Sequence, residues 1–394
     1  GRSAVPPTTA CAGDSVVVLR SDPPAPRHGE ALEGTLQAAR RTHERWLASG
    51  LAASAVDLGP GVGVVARRHL ESRSVEHVPL LVRDRGSAPL RWAVKIGTQV
   101  ASERESWGDW HYALALREQL ELLGHQVTID TRTSWYRPTA HLDDVVLVLQ
   151  GRGRYRPSPD QVSMLWLISH PAEAPATAVG DYDVVLSAST AWCEQVAPFA
   201  RTAPELMLQC TDPDRFHPGA PDPACAHEVL MVGNARGPRP AVAAALEAGL
   251  VPDVYGQRWE GLLPDGAWKG AYLPNEQLAA HYRSSGVVLN DHWDEMRHWG
   301  IVSNRLFDLV ACGARVISDD IPQIKETFED VVLTFTTAQD IPTLVRAHRD
   351  ETPEDVERRM ALSQTVRREH SFAARAKTLS DRATAHLAAR VGHR

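Results

Sequence analysis

From residue 89 onward, short apolar runs alternate with amphipathic stretches. Arg91–Ile96 predicts a buried strand and Gly97–Trp110 a loop. Residues 111–123 predict a helix, because Ala113, Leu116, Leu120 and Leu123 recur every three or four positions and share one face. Gly124 ends it. Val127–Ile129, Val145–Leu149, Met164–Ile168 and Val184–Ser187 are further strand-like runs. This alternation predicts a parallel sheet covered on both faces. It stops at Asp212–Pro223, where four prolines in twelve residues read as an interdomain linker.

The pattern then restarts. Val229–Val232 predicts a strand, Gly233–Pro240 a loop, and Ala241–Ala248 a helix stopped by Gly249. Val254 and Tyr255 lie in a strand, and Asn275–Arg283 is a helix capped by Asn275. Val287–Asn290 is a strand, Asp291–Val302 a polar loop, and Asn304–Cys312 a helix with Ser303 as N-cap and Gly313 as C-cap. Val316–Ser318 and Val331–Phe335 are strands, and the Arg-rich tail is helical. Residues 1–88 are an N-terminal extension of unclear fold. Prolines 6–7 and 23–26 mark loops, 29–49 a helix, and Ser15–Leu19, Val62–Ala66 and Val78–Val82 strands.

The expected architecture is α/β, with two doubly wound domains over 89–216 and 217–352 and helices over 353–394 packing back across the cleft. Ligands bind such sheets beyond the carboxyl ends of the strands. That selects the loops at 97–110, 169–175, 233–240, 256–274 and 290–303.

Composition narrows the class. The chain has 394 residues and a net charge of −7, which argues against a general nucleic-acid or anionic-membrane binder. No apolar run approaches the roughly 20 residues of a membrane span. The first 30 residues lack a secretory pattern, so the expectation is cytoplasmic, with room for a peripheral place at the inner membrane face. Five cysteines, Cys11, Cys193, Cys210, Cys225 and Cys312, show no CxxC spacing and predict reduced thiols without zinc.

Five segments carry candidate chemistry. In 231–240 a strand enters a glycine loop holding Arg236 and Arg239, forked donors suited to phosphate. The spacing is neither GxGxxG nor a P-loop. In 299–318 Ser303 opens a helix toward the cleft, a natural anion site, and Asp308 lies about one turn on, where it could accept from a ribose diol. In 290–297, from Asn290, carboxylates crowd a loop, but a sugar-phosphate pocket suits them better than a metal. His170 ends a strand of the first domain, where its imidazole could bond a hydroxyl or phosphate. In 105–111 Asp109 or His111 could take an acceptor proton beside aromatic rings. Each segment also has a plainer reading: solvated arginines, a capped core helix, a surface histidine, or core tryptophans with Asp109 as a helix cap.

In this order and spacing, RWAVKIG (91–97), WGDWHYALALREQLELLGH (107–125), WLISHP (166–171), DPDRFHP (212–218), VGNARG (232–237), YLPNEQLAAHYRSS (272–285) and LNDHWDEMRHWGIVSNRLFDLVACGARVIS (289–318) resemble GT-B glycosyltransferases. The likeness is to the spore-maturation (CgeB-type) family and its actinobacterial relatives, and spans about 90–340. It implies two facing Rossmann-like domains, acceptor on the first and nucleotide-sugar donor on the second. It implies Gly233, Asn234 and Arg236 at the diphosphate, with Ser303 and Asn304 giving amides and Arg305 nearby. Tyr272 would flank the base and Asp308 take the ribose hydroxyls. Related enzymes often carry a glutamate eight residues before the ribose-binding acid; here that residue is Gly300. The activity so implied is transfer from a nucleoside-diphosphate sugar, UDP- or GDP-linked, to a hydroxyl of a small molecule, glycan or peptide. Neither metal nor tightly bound cofactor is expected. His170, Asp109 and His111 are the candidate bases. A nucleotide-sugar epimerase and an inactive binding module on the same fold are the alternatives.

Overall fold

The computed structural model describes residues 14–21, 53–57, 62–68, 77–82, 90–100, 107–159, 161–235, 237 and 239–392. The first four stretches are strands β1 (Asp14–Ser21), β2 (Ala53–Asp57), β3 (Val62–Arg68) and β4 (His77–Val82). They form one sheet in the order β2-β3-β1-β4, with β1 antiparallel to β3 and parallel to β4. Three of them coincide with the predicted apolar runs. The helix expected over 29–49 lies outside the described residues.

The first α/β domain holds β5 (Arg91–Lys95), β6 (Gln126–Asp130), β7 (Val145–Gln150), β8 (Val162–Leu167), β9 (Val184–Ser187) and the short β10 (Glu205–Leu206). Every pairing is parallel, in the order β10-β9-β8-β7-β5-β6. Strands β7 and β8 are buried along their whole length, which is why they read as continuous apolar runs. The second domain repeats the plan with β11 (Val229–Val232), β12 (Asp253–Tyr255), β13 (Trp268–Gly270), β14 (Val287–Asn290), β15 (Val316–Asp319) and β16 (Val332–Phe335). Its order is β13-β12-β11-β14-β15-β16, again parallel. The order reverses between β11 and β14, so the loops after those two strands frame the switch point where ligands bind.

Helix α1 spans Gly108–Leu122, so Asp109 and Trp110 belong to its first turn rather than to the expected loop. Helix α2 (Thr190–Val196) follows β9, and α3 (Pro240–Glu247) follows the glycine loop after β11. Helix α4 runs Leu278–Ser284 and not from Asn275. Asn275 lies in a turn closed by the Gln277 amide on the Pro274 carbonyl, and it does not cap the helix. The polar loop expected over 291–302 contains α5 (Asp294–Trp299). Its Met296, with Ile301 after it, is buried in a cluster with Trp135, Val146 and Leu165 of the first domain. The second domain is thereby pinned to the first. Helix α6 (Asn304–Ala311) starts at Ser303; α7 (Pro322–Phe328) and α8 (Ile341–Arg349) flank β16.

The chain crosses between the domains twice. After α9 (Pro353–Glu369), helix α10 (Phe372–Gly392) returns to the first domain. Phe372, Ala376, Leu379, Ala383 and Leu387 recur every three or four residues and join the first domain's core. This return crossing pairs with the outgoing one: the Thr211 amide donates to the His370 carbonyl at 2.8 Å and the Phe372 amide to the Thr211 carbonyl at 3.1 Å. Among the described residues, no helix is long and apolar enough to cross a membrane.

The loops after β11 and β12 touch through backbone. A Cβ on Gly256 (φ +147°) would stand 2.2 Å from the Gly233 carbonyl oxygen, whereas one on Gly270 would meet nothing nearer than 3.8 Å. Gly256→Ala is therefore expected to cost about 1–3 kcal/mol, a fall in melting temperature on the order of 1–4 °C. Gly270→Ala should melt within about 1 °C of the parent. Equal melting temperatures for the two would show that the loops can separate freely.

Candidate functional site

A cavity of about 640 Å³ opens where the carboxyl ends of the two sheets face each other. That is the size of an ordinary small-molecule site. Asp109, His111 and Ser169 line it from the first domain, Asp212 and Arg215 from the linker. Gly233 and the start of α6, from Ser303 to Asp308, line it from the second.

Two guanidiniums converge on Gly233. A Cβ there would lie 3.1 Å from both terminal nitrogens of Arg239 and 3.2 Å from Nη2 of Arg305, so the missing side chain makes the space they share. Arg239 is held from behind: Nη2 meets Asp291 Oδ1 at 2.6 Å and Nη1 donates to the Asn234 carbonyl at 2.9 Å. Its buried Nε has no partner among the described residues. Burial, and then the charge of Arg305, lowers its pKa, with Asp291 opposing. Arg305 donates to a neutral acceptor, Asn290 Oδ1, at 3.2 Å. Two cations thus share one directly paired carboxylate, an arrangement suited to an anion.

The residues behind Arg305 explain its place. Asn290, fully buried, donates to Ser318 Oγ at 3.0 Å and accepts from Ser303 Oγ at 3.2 Å. Asn290 therefore orients the site without lining it. Ser303 holds the N-cap position, but its hydroxyl is turned to Asn290 and makes no cap bond. Its amide donates to His292 Nε2 at 3.0 Å, and His292 Nδ1 lies 2.7 Å from Asp319 Oδ1. Because Nε2 accepts, Nδ1 carries the proton and the imidazole is neutral. The Ser303 amide is thus engaged by His292 in the ligand-free site. The first-turn amides of Asn304 and Arg305 have no intrahelical partner.

Asp308 lies one turn up α6, half-buried. Oδ1 accepts from the Thr211 hydroxyl at 2.7 Å and Oδ2 from Asn304 Nδ2 at 2.9 Å. Burial pushes its pKa up to about 8, against the Thr211 bond and the charge of Arg305. The buried Oδ1 of Asn304 has no partner among the described residues, which leaves an open acceptor in the cavity wall.

On the first domain, Asp109 sits in the first turn of α1. Its Oδ1 accepts from the Thr98 hydroxyl at 3.2 Å, and burial raises its pKa. A carboxylate whose pKa is raised is a stronger base toward an acceptor hydroxyl. His111, half-buried, lines the same wall. His170 does not line the cavity. Its φ of 52° turns the ring onto Trp293 of the second domain, 4.9 Å between centroids, with Nδ1 2.9 Å from Ser169 Oγ. Ser169 takes the wall position that the sequence suggested for it. Tyr272 is 61 % exposed and also off the cavity, where Asn275 and Leu278 stand instead. Asn234 serves its loop: Oδ1 accepts from the Gln257 amide at 2.8 Å. Arg236 lies outside the described residues. Thr211 carries no signal in the sequence; Arg239 stands out there as a forked donor of the glycine loop, though the resemblance implies Arg236 and not Arg239 at the diphosphate. Among the described residues, no group of three His, Cys, Asp or Glu could hold a metal ion.

Residues 239–381 match a family model described as glycosyl transferase-like, well under half of the chain. No curated protein matches the sequence. Several solved structures share the fold. Sucrose-phosphate synthase from Thermosynechococcus elongatus is 13% identical with a TM-score of 0.55, over 76% of this chain and 100% of that one. T4 phage BGT, solved with its UDP-glucose substrate, is 10% identical with a TM-score of 0.51, over 75% of this chain and 99% of that one. A UDP-forming α,α-trehalose-phosphate synthase from Burkholderia vietnamiensis is 10% identical with a TM-score of 0.50, over 78% and 99%. At these identities the likeness is one of fold: two facing Rossmann-like domains, the GT-B arrangement. The matched region points to one enzyme class, the glycosyltransferases.

Proposed function

We propose that the protein transfers a sugar from a nucleoside diphosphate to an acceptor hydroxyl, without needing a metal ion. The observation that carries this reading is the convergence of Arg239 and Arg305 on Gly233, with Asp291, among the described residues, as the one carboxylate in direct contact. Bond breaking at the anomeric carbon leaves its electron pair on the departing diphosphate, and preorganised guanidiniums stabilise that charge best in a water-poor cleft. The acceptor oxygen bonds to the same carbon. Its proton passes to Asp109 or His111 if the enzyme inverts, or to the leaving phosphate if it retains. Asn304 and Asp308 would meet the nucleoside hydroxyls. The first domain would hold the acceptor, a small molecule, glycan or peptide. The motif order supports a kinship with the spore-maturation glycosyltransferases and their actinobacterial relatives.

A thermal-shift screen with UDP, GDP, dTDP and CDP, each with and without Mg²⁺, tests the reading. A ligand at 100 times its dissociation constant stabilises by about 2.7 kcal/mol, a clear shift. One diphosphate is expected to shift the melt equally without Mg²⁺, and its sugar conjugate to be slowly hydrolysed. No shift with any of the four would overturn the assignment of the cavity. A shift only with Mg²⁺ would overturn the metal-independent part.

A further inference from the structure

Thr211 has no place in the proposed chemistry, yet it is fully buried between the hinge and the cavity wall. Its backbone joins the two interdomain crossings at His370 and Phe372. The residues beside it are fixed from both domains. Arg375 of α10 donates to the Leu208 and Gln209 carbonyls at 2.8 and 3.2 Å. Gln209 Nε2 donates to the Ile168 carbonyl of the first domain at 2.9 Å and to the Val302 carbonyl, just before α6, at 3.2 Å. Cys210 Sγ lies 3.3 Å from the Tyr112 hydroxyl of α1. From the middle of this stretch the Thr211 hydroxyl donates to Asp308 Oδ1 at 2.7 Å.

We infer that Thr211 is a positioning residue of the donor pocket, whose hydroxyl, carried on the hinge, fixes Asp308 and ties filling of the pocket to the setting of the two domains. This rests on the cavity being a nucleotide site. Coupling of this kind is reciprocal: whatever holds Asp308 also holds the hinge. The groups facing Asp308 are Arg305 and Cys312 of its own segment, Asp212, Arg215 and Cys210 of the linker, Tyr112 of α1 and Tyr282 of α4. Of the neutral groups around it, Thr211 holds the carboxylate form most directly. Removing its hydroxyl raises the Asp308 pKa further.

Thr211→Val keeps the shape and removes the donor; Thr211→Ser keeps the donor. The probe is whichever of UDP, GDP, dTDP and CDP gives the largest shift with the parent, titrated from pH 5.5 to 9.5. Thr211→Val should bind it about tenfold more weakly at pH 8, with the midpoint of its pH profile moved upward. Thr211→Ser should stay within about threefold of the parent. Parent-like binding and midpoint in Thr211→Val would overturn the inference. So would equal loss in both variants with an unmoved midpoint, the mark of a packing role only. If none of the four binds the parent, the cavity reading fails instead, and ligand-free melts from pH 5 to 10 decide. The pH at which stability stops falling should then lie higher in Thr211→Val than in the parent, and coincidence would overturn the inference.

Discussion

Replacing Arg305 with alanine is expected to weaken nucleoside-diphosphate binding about a hundredfold, roughly 2.7 kcal/mol, while the ligand-free protein melts no lower than the parent. The reason lies in how the two guanidiniums are paired. Arg239 has a carboxylate at 2.6 Å and a carbonyl at 2.9 Å, whereas Arg305 has an amide oxygen at 3.2 Å, the Tyr282 hydroxyl and the repulsion of Arg239, with no carboxylate in direct contact among the described residues. Among the described residues, the charge of Arg305 is therefore the one left for a ligand, and removing it relieves its repulsion with Arg239. Arg239→Ala should do the reverse. It strips Asp291, almost wholly buried, of its partner, and an uncompensated buried charge costs about 3–5 kcal/mol. Arg305→Lys keeps the charge but not the fork and should lie between, about tenfold weaker than the parent. Calorimetric titration beside ligand-free melts separates the cases. If Arg305→Ala and Arg239→Ala lose stability alike, the division of labour drawn from the pairing is wrong.

That division was only half legible in the sequence. The glycine loop and the helix starting at Ser303 could be read locally, because each follows a strand buried on both faces and announces itself as an apolar run. Which arginine turns inward depends on Asp291, at the end of a strand far along the chain, and spacing carries no trace of that. The same applies to Ser303. The N-cap position was plain, but its hydroxyl and amide are claimed by Asn290 and His292, brought beside it only when β14 joins the sheet. His170 and Tyr272 were placed by motif order, which fixes a residue's loop but not its rotation. Strands β10 and β13 escaped notice for a physical reason. Both are short edges whose residues Leu206 and Trp268 face water, so no buried face imposes a pattern. Helix α5 reads as a polar loop in the sequence because its charged side is the denser one; Trp293, Met296 and Trp299, three apart, mark the side that meets the first domain.

Asp308→Asn should make the ligand-free protein more resistant to heat at alkaline pH and impair it as a nucleotide binder. The carboxyl is pushed up to about 8 by burial, against about 3.9 in an unfolded chain. Between these values the folded state holds a proton that the unfolded state has lost. Stability therefore falls as pH rises through that interval and levels off above about 8. The amide has nothing to ionise. The gap between Asp308→Asn and the parent should widen by about 3–4 kcal/mol from pH 5 to pH 8 and then stop widening. For a chain of this size that is a difference on the order of 4–5 °C in melting temperature. Thr211 can still donate to the amide oxygen, and reversing the Asn304 amide lets its orphaned oxygen accept from the new NH₂, so the variant keeps its local bonds. What it loses is the carboxylate as an acceptor for ligand hydroxyls, worth about tenfold in affinity. Melting curves that run parallel across the pH range would mean that Asp308 is already ionised in the empty site. A nucleotide affinity unchanged by the substitution would mean that the hydroxyls are read by Asn304 without it.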